Sequence, residues 1–175
     1  MIGQIIRHFG KRRCGRILCG LVLTAISPTL LAQAPADMTP STRIRGSFIL
    51  SSVGDLINAE PLDVEHDAEA RKLAQILRAS DVAIGNQETT FFDLKTFSGP
   101  GPGSPYILLG RPTLAKGLKD LGIGMVSTAS NHSNDWGIQG LTAMTRLLDA
   151  AGIVHAGDGM TLAEARGARF VQTPK

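Results

Sequence analysis

From Ser47 onward, short apolar runs alternate with longer amphipathic ones. Ser47 to Gly54 (SFILSSVG) reads as a strand closing on Gly54-Asp55. Asp67 to Ala79 (DAEARKLAQILRA) has a helical period, with Leu73, Ile76 and Leu77 sharing one face. Asp81 to Gly85 (DVAIG) predicts a second strand, ending in Asn86-Gln87-Glu88. Ser98 to Pro105 (SGPGPGSP) is too rich in breakers for either regular structure. Pro112 to Leu121 opens on proline and stops before Gly122, which marks both ends of a helix. Ile123 to Ser127 predicts a third strand. Ile138 to Ala151 predicts a helix with Ile138, Leu141, Met144, Leu148 and Ala151 on one stripe, closed by Gly152. Ile153-Val154-His155-Ala156 reads as a fourth strand, and Phe170-Val171 begins a fifth.

This alternation predicts the α/β class: βαβ units forming a parallel-rich sheet covered by helices on both faces. In such a sheet the carboxyl ends of all strands share one edge, and ligands bind there. The first strand ends at Asp55 and the second at Asn86 and Glu88. The third runs into "STASNHSNDWG", residues 127 to 137, which holds Asn131, His132 and Asp135. Carboxylate, amide oxygen and imidazole together suit a hard or borderline divalent cation such as Mg, Mn, Fe or Zn. A cation so held polarises a phosphoryl or acyl oxygen and lowers the pKa of bound water toward ~7. A histidine beside it could protonate a leaving group.

Each cluster alone has a plainer reading. Gly54-Asp55 is a common turn, and Asn86 and Glu88 could cap the next segment or face solvent. Asn131, Ser133 and Asn134 are ordinary turn formers, and Asp135 could cap the helix beginning near Ile138. His66 reads as a loop residue and His155 as a satisfied core residue. Only a meeting of all three clusters on one rim would distinguish a site from three ordinary turns.

Composition changes the picture mainly at the amino terminus. With 175 residues, 43% of them apolar and 19% charged, the chain can bury a core and its length favours one domain. Arg7, Lys11, Arg12, Arg13 and Arg16 precede every acidic residue, the run from Ile17 to Leu31 is uncharged, and Ala32-Gln33-Ala34 and Ala34-Pro35-Ala36 follow. That order is an export signal, residues 1–34, cleaved after Ala34 or Ala36. As an uncleaved anchor the apolar run, interrupted by Pro28, falls short of the roughly 20 residues of a bilayer-spanning helix. Arg12-Arg13 is followed by Cys-Gly-Arg, not by an apolar stretch, which speaks against a twin-arginine route, and neither cysteine follows a lipobox. Residues 35–45 read as a flexible lead-in to a domain over 46–175.

Cleavage also resets the charge. Five basic and no acidic residues leave, so 13 basic stand against 15 acidic, about −2, where the whole chain has +3. A chain of that balance lacks the clustered basic surface that nucleic acid requires. Cys14 and Cys19 leave as well, so an exported product has no disulfide, and its metal ligands are oxygen and imidazole.

Val53-Gly54-Asp55, Asn86-Gln87-Glu88, "ASNHSNDWGIQGL" and "LLDAAGIVHAGDG" together resemble the CapA family, bacterial poly-γ-glutamate capsule synthesis proteins of metallophosphatase-like (calcineurin-like phosphoesterase) fold. The third block is the specific one. The resemblance implies that Asp55, Asn86, Glu88 and Asn131 belong to a metal site, with His132 as general acid and Asp135 orienting the loop or the imidazole. It implies an exported, periplasmic or extracytoplasmic protein acting on an anionic or polar surface polymer, in reach of a capsule-synthesis membrane complex but with no stable membrane span after leader cleavage. Gln87, Ser130 and Trp136 depart from the usual pattern without removing a ligand-type side chain.

Such proteins complete their sites with histidines from later strands, which His66 and His155 do not replace. The expectation is therefore a fold incomplete at the C-terminus, a partial site, one uncovered sheet face and poor solubility. A non-catalytic binding module of the same fold is the alternative. A lipid-proximal structural protein retained by its leader is a third reading.

Overall fold

The computed structural model describes residues 46–103 and 105–173; the leader, and all of the lead-in, lie outside them. The elements run β1 (Leu50–Leu56), α1 (Ala68–Arg78), β2 (Val82–Gln87), β3 (Thr90–Phe91), β4 (Leu109–Gly110), α2 (Leu114–Leu121), β5 (Met125–Ser127), α3 (Gly137–Ala150), β6 (Val154–Ala156) and α4 (Leu162–Ala165). Four strands form one sheet in the order β1-β2-β5-β6, every neighbouring pair parallel. The α/β class with a parallel sheet flanked by helices is as expected from sequence.

Every crossover in that order steps in the same direction. Parallel crossovers share one hand, so α1, α2 and α3 fall on the same side of the sheet. The core records this. Ala74 and Leu77 of α1, Leu114 and Leu118 of α2, and Leu141, Met144 and Leu148 of α3 form one cluster with Ala83 of β2 and Val126 of β5. The opposite face carries Leu50, Ser52, Ile84, Met125 and Val154, with Leu50 55% exposed and the three larger inner residues only half-buried. Among the described helices, only short α4 approaches that side, where Ala165 helps line a cavity of about 540 Å³ over Ser52, Ile84 and Met125. Among the described residues coverage is thus unequal: three helices on one face and a single turn over the other.

Helix ends follow the sequence signals. Asp67 caps α1 by accepting from the backbone N–H groups of Glu69 and Ala70 at 2.8 and 3.2 Å. Gly122 ends α2 in the left-handed region at φ 102°, where a side chain would be strained. Four expectations change. The buried stripe of α1 is Ala70, Ala74 and Leu77, spaced i, i+4, i+7, while Ile76 is 63% exposed and Leu73 sits at its margin. On α3, Ile138 is exposed, and the buried residues are Gly140, Leu141, Met144 and Leu148. A small parallel pair, β3 with β4, and helix α4 had no periodic signal because each is too short to show a period. Phe170-Val171 forms no strand; the two residues are 59% and 37% exposed and find no ladder partner.

Candidate functional site

Asp55 does not follow β1, as its turn-like Gly-Asp suggests, but lies within it. Ser52 pairs with Ile84 while Asp55 pairs with Asn86, so three steps along β1 match two along β2. The extra residue is a β-bulge at Val53-Gly54. Its effect is on parity. In a regular strand Ser52 and Asp55 would face opposite sides; the bulge puts both on the side of Ile84 and Asn86, away from the helices. Val53 and Leu56 turn the other way and pack on the core. Gly85 permits this, since a Cβ there would stand 2.8 Å from Val53 and 2.9 Å from Leu56.

The bulge delivers Asp55 to its neighbour. Asn86 Nδ2 donates to Asp55 Oδ1 at 2.8 Å. Two residues on, the Glu88 side chain is 12% exposed at the carboxyl edge of the sheet. Burial, then the charge of Asp55 and a hydrogen bond to it, push the Glu88 carboxyl above its ordinary range, and the nearby His132 pulls against them. The Glu88 carboxyl, crowded by Asp55, thus resists ionising.

The third cluster arrives on a loop built from its own hydroxyls. Thr128 is fully buried, and its N–H and Oγ1 both donate to the Ala156 carbonyl, at 2.8 and 3.0 Å, fixing the end of β5 to the end of β6. Ser133 Oγ donates back to the Thr128 carbonyl and accepts from Ser130 N at 2.8 Å. Ser130 Oγ in turn accepts from His132 N at 3.1 Å. The imidazole is thereby set between two carboxylates, with Nδ1 2.6 Å from Asp135 Oδ2 and Nε2 3.6 Å from Glu88 Oε1. Ionised Asp135 only accepts, so Nδ1 carries the proton of that bond and Nε2 is the atom turned toward Glu88.

Of the residues named from sequence, Asp55, Asn86, Glu88, His132 and Asp135 thus meet on one rim. Asn131, next to His132 in the same loop, is exposed, and its side chain makes no hydrogen bond to the group. Asp135 is no helix cap: the residue before α3 is Trp136, without a side-chain cap bond, and the Asp135 carboxylate serves His132 instead. His66 sits on the surface with Asp63 at 2.9 Å. His155 lies on the helix side of β6, paired with Val126, with Asp149 at 3.2 Å.

Sequence reasoning passed over Asp158 and the two serines. The Asp158 side chain is 8% exposed just beyond β6, its Oδ2 is buried without a partner, and preceding Gly157 packs against Ala129 of the rim loop. The signal for it was the Gly-Asp after a strand already used for Asp55. For Ser130 and Ser133 no period or spacing distinguishes a loop tie from a solvent-facing hydroxyl.

As donors, Asp55, Glu88 and the Asn86 amide are hard oxygens of the sort Mg or Mn accepts, and a cation between the two carboxyls would offset their repulsion. Among the described residues, no group of three or more His, Cys, Asp or Glu side chains is assembled to hold a metal ion. The fit is that of a partial site.

A parallel α/β sheet carrying an acid–imidazole cluster on its carboxyl rim defines the general class. Residues 49–175 match the family described as "Bacterial capsule synthesis protein PGA_cap", and the chain belongs to that family. Two relatives from Sinorhizobium fredii (strain NBRC 101917 / NGR234), the uncharacterized proteins y4sH and y4uA, are each 36% identical over 145 residues, covering 79% of this chain. The match spans only 31% of the length of each, so the chain corresponds to about a third of these relatives.

Proposed function

We propose that this chain is an exported capsule-synthesis protein whose rim binds a divalent cation and acts hydrolytically on a phosphoryl or acyl group of an anionic or polar surface polymer, poly-γ-glutamate among the candidates. The family supports the capsule role. The observation carrying the chemistry is the placement of His132 between Asp135 at 2.6 Å and Glu88 at 3.6 Å, beside the Asn86–Asp55 bond.

In this reading Asp55, Glu88 and the Asn86 amide would hold the cation, with Asn131 available from the same loop. When bound, the cation supplies Lewis acidity and an acidified water. The chain's own residues do the rest. Asp135 fixes the imidazole and holds its Nδ1 proton, leaving Nε2 to exchange a proton with the substrate at the rim. The serine-tied loop keeps that atom in place. Export rests on the basic, apolar and small-residue order of residues 1–36. No helix among the described residues is long and apolar enough to cross a membrane.

The test is cation binding, followed by Mn²⁺ electron paramagnetic resonance and calorimetry. Wild-type protein should take up Mn²⁺, Glu88→Gln and Asp55→Asn should each weaken it about tenfold or more, and His132→Gln should alter turnover of polymer far more than uptake. Uptake insensitive to both carboxylate variants would refute the metal reading. A second reading, a polymer-binding module without turnover, is favoured by the lack of a three-residue His/Asp/Glu cage among the described residues. Polymer binding without cation uptake would select it.

A further inference from the structure

A cavity of about 620 Å³ lies off the rim, between the segment after β3 and the outer face of α3. The volume falls within the ~300–1,000 Å³ of small-molecule sites. Phe92 and Phe97 supply one wall, stacked on each other at 4.1 Å with 26° between their planes. Trp136 braces both edge-on, at 5.2 and 6.0 Å. Phe92 stands four residues after Glu88, and Trp136 follows Asp135 directly. The cavity is therefore fixed to the same two segments that carry the rim.

The facing wall is mixed: α3 contributes apolar Ile138, Ala143 and Leu147 together with three polar side chains. Gln139, Thr142 and Arg146 recur along α3 at i, i+3 and i+7, off its buried stripe of Leu141, Met144 and Leu148. The Gln139 amide and the Arg146 guanidinium make no hydrogen bond or ion pair with any described residue. Asp93 closes the group; its Oδ1 accepts from Lys95 N at 3.0 Å and its Oδ2 stays open. Gly99 packs between the two walls, since a Cβ there would meet the Phe97 ring at 2.3 Å and Gln139 Cβ at 2.8 Å.

The Phe97 ring, backed by buried Phe92, stands opposite one carboxylate, one guanidinium and one amide, an apolar surface together with a balanced set of donors and acceptors. Asp93 and Arg146 balance, so the lining has no net charge to draw an acidic chain, and a purely apolar ligand would strand Gln139, Arg146 and Asp93. A pyranose ring, with an apolar face and a hydroxyl edge, matches both walls. We propose that this cavity is a saccharide subsite: the ring rests on Phe97, which Phe92 backs, while Gln139, Arg146 and Asp93 bond its hydroxyls. The choice of a sugar polymer rests on the capsule-synthesis reading; the cavity itself is independent of the cation.

The experiment titrates the whole chain by calorimetry and saturation-transfer NMR with cellobiose, N,N′-diacetylchitobiose and a galacturonate disaccharide, and with a γ-linked glutamate oligomer as the acidic-chain arm. At least one saccharide should bind at millimolar concentration. Phe97→Ala and Arg146→Met should each weaken it about tenfold or more, and Gly99→Ala should do likewise by displacing the Phe97 ring and Gln139. Glu88→Gln should leave saccharide binding unchanged, so that loss of the cation site and loss of this site are read separately. If Phe97→Ala does not fold, Arg146→Met on the exposed helix face decides. Binding of the glutamate oligomer in place of every saccharide, no saccharide binding at all, or binding indifferent to Arg146→Met overturns the proposal.

Discussion

On the helix side of the sheet, Ala83 and Val126 are 2% and 1% exposed beneath three helices, whereas Ile84 and Met125, next to them in the same strands, stay half-open on the other side. One residue along a strand changes the environment from packed core to unpartnered surface. The difference comes from topology, because a strand order that never reverses sends every long crossover to one face. The rim side chains belong to the open side. Asp55 and Asn86 share the parity of Ile84, and cavity space over that face runs up to Asn86 and Ser127. Chemistry is therefore placed where packing is weakest.

The sharpest way to break the comparison is to truncate one leucine on each side. Leu148 is 0% exposed in the helix-side core, and Leu148→Ala should cost about 2–5 kcal/mol. Leu50, 55% exposed on the open side, should change stability by no more than about 0.5 kcal/mol as Leu50→Ala. Urea titrations of both variants measure the gap. Equal costs would mean that the open face is buried in solution.

A smaller effect separates two glycines in paired strands. Nothing approaches within 4 Å of a Cβ at Gly54, but one at Gly85 would press on Val53 and Leu56 at 2.8 and 2.9 Å. Gly85→Ala should therefore destabilise by about 1–3 kcal/mol through overpacking, and should also weaken cation uptake, because the displaced residues shape the bulge that aims Asp55. Gly54→Ala should be near neutral in both. A thermal melt with and without Mn²⁺ distinguishes them, and identical behaviour would remove the bulge from the account.

Much of the frame was legible in the sequence because it is local. The starts and stops of α1 and α2 are written in Asp67 and Gly122, and the order of long strands and helices in the alternation of periods. The rim clusters were legible because each follows or ends a parallel strand, and such ends must share an edge. What sequence could not give depends on registration between strands. The bulge that turns Asp55 is invisible in "SSVGDL", which has no sign that three residues will face two. The exposure of Ile76 depends on how closely small Ala70 and Ala74 let α1 sit. Asn131 and His132 are adjacent and equally ligand-like in sequence; the hydroxyl ties of Ser130 and Ser133, which set the His132 imidazole against Asp135, have no sequence signal.

The finest test uses pH, and it sets two carboxyls with opposite signs against each other. Burial and then Asp55 raise the folded-state value of Glu88. The folded protein therefore holds that proton more tightly than the unfolded chain, so the contribution is full below the ordinary glutamate range and is lost as pH rises through the raised value. Asp63 behaves inversely. The backbone N–H of His66 first, then its side chain, lowers the Asp63 carboxyl, so its contribution is present above the ordinary aspartate range and is lost as pH falls through the lowered value. Glu88→Gln should flatten the decline of metal-free stability on the alkaline side, while Asp63→Asn should soften the acid side and do nothing at the rim. Exposure and salt screening keep the Asp63 effect the smaller of the two. Adding Mn²⁺ should abolish the Glu88 decline in wild-type protein, because a cation beside the pair favours the ionised form; a decline unmoved by the ion would mean that Glu88 and Asp55 do not share it.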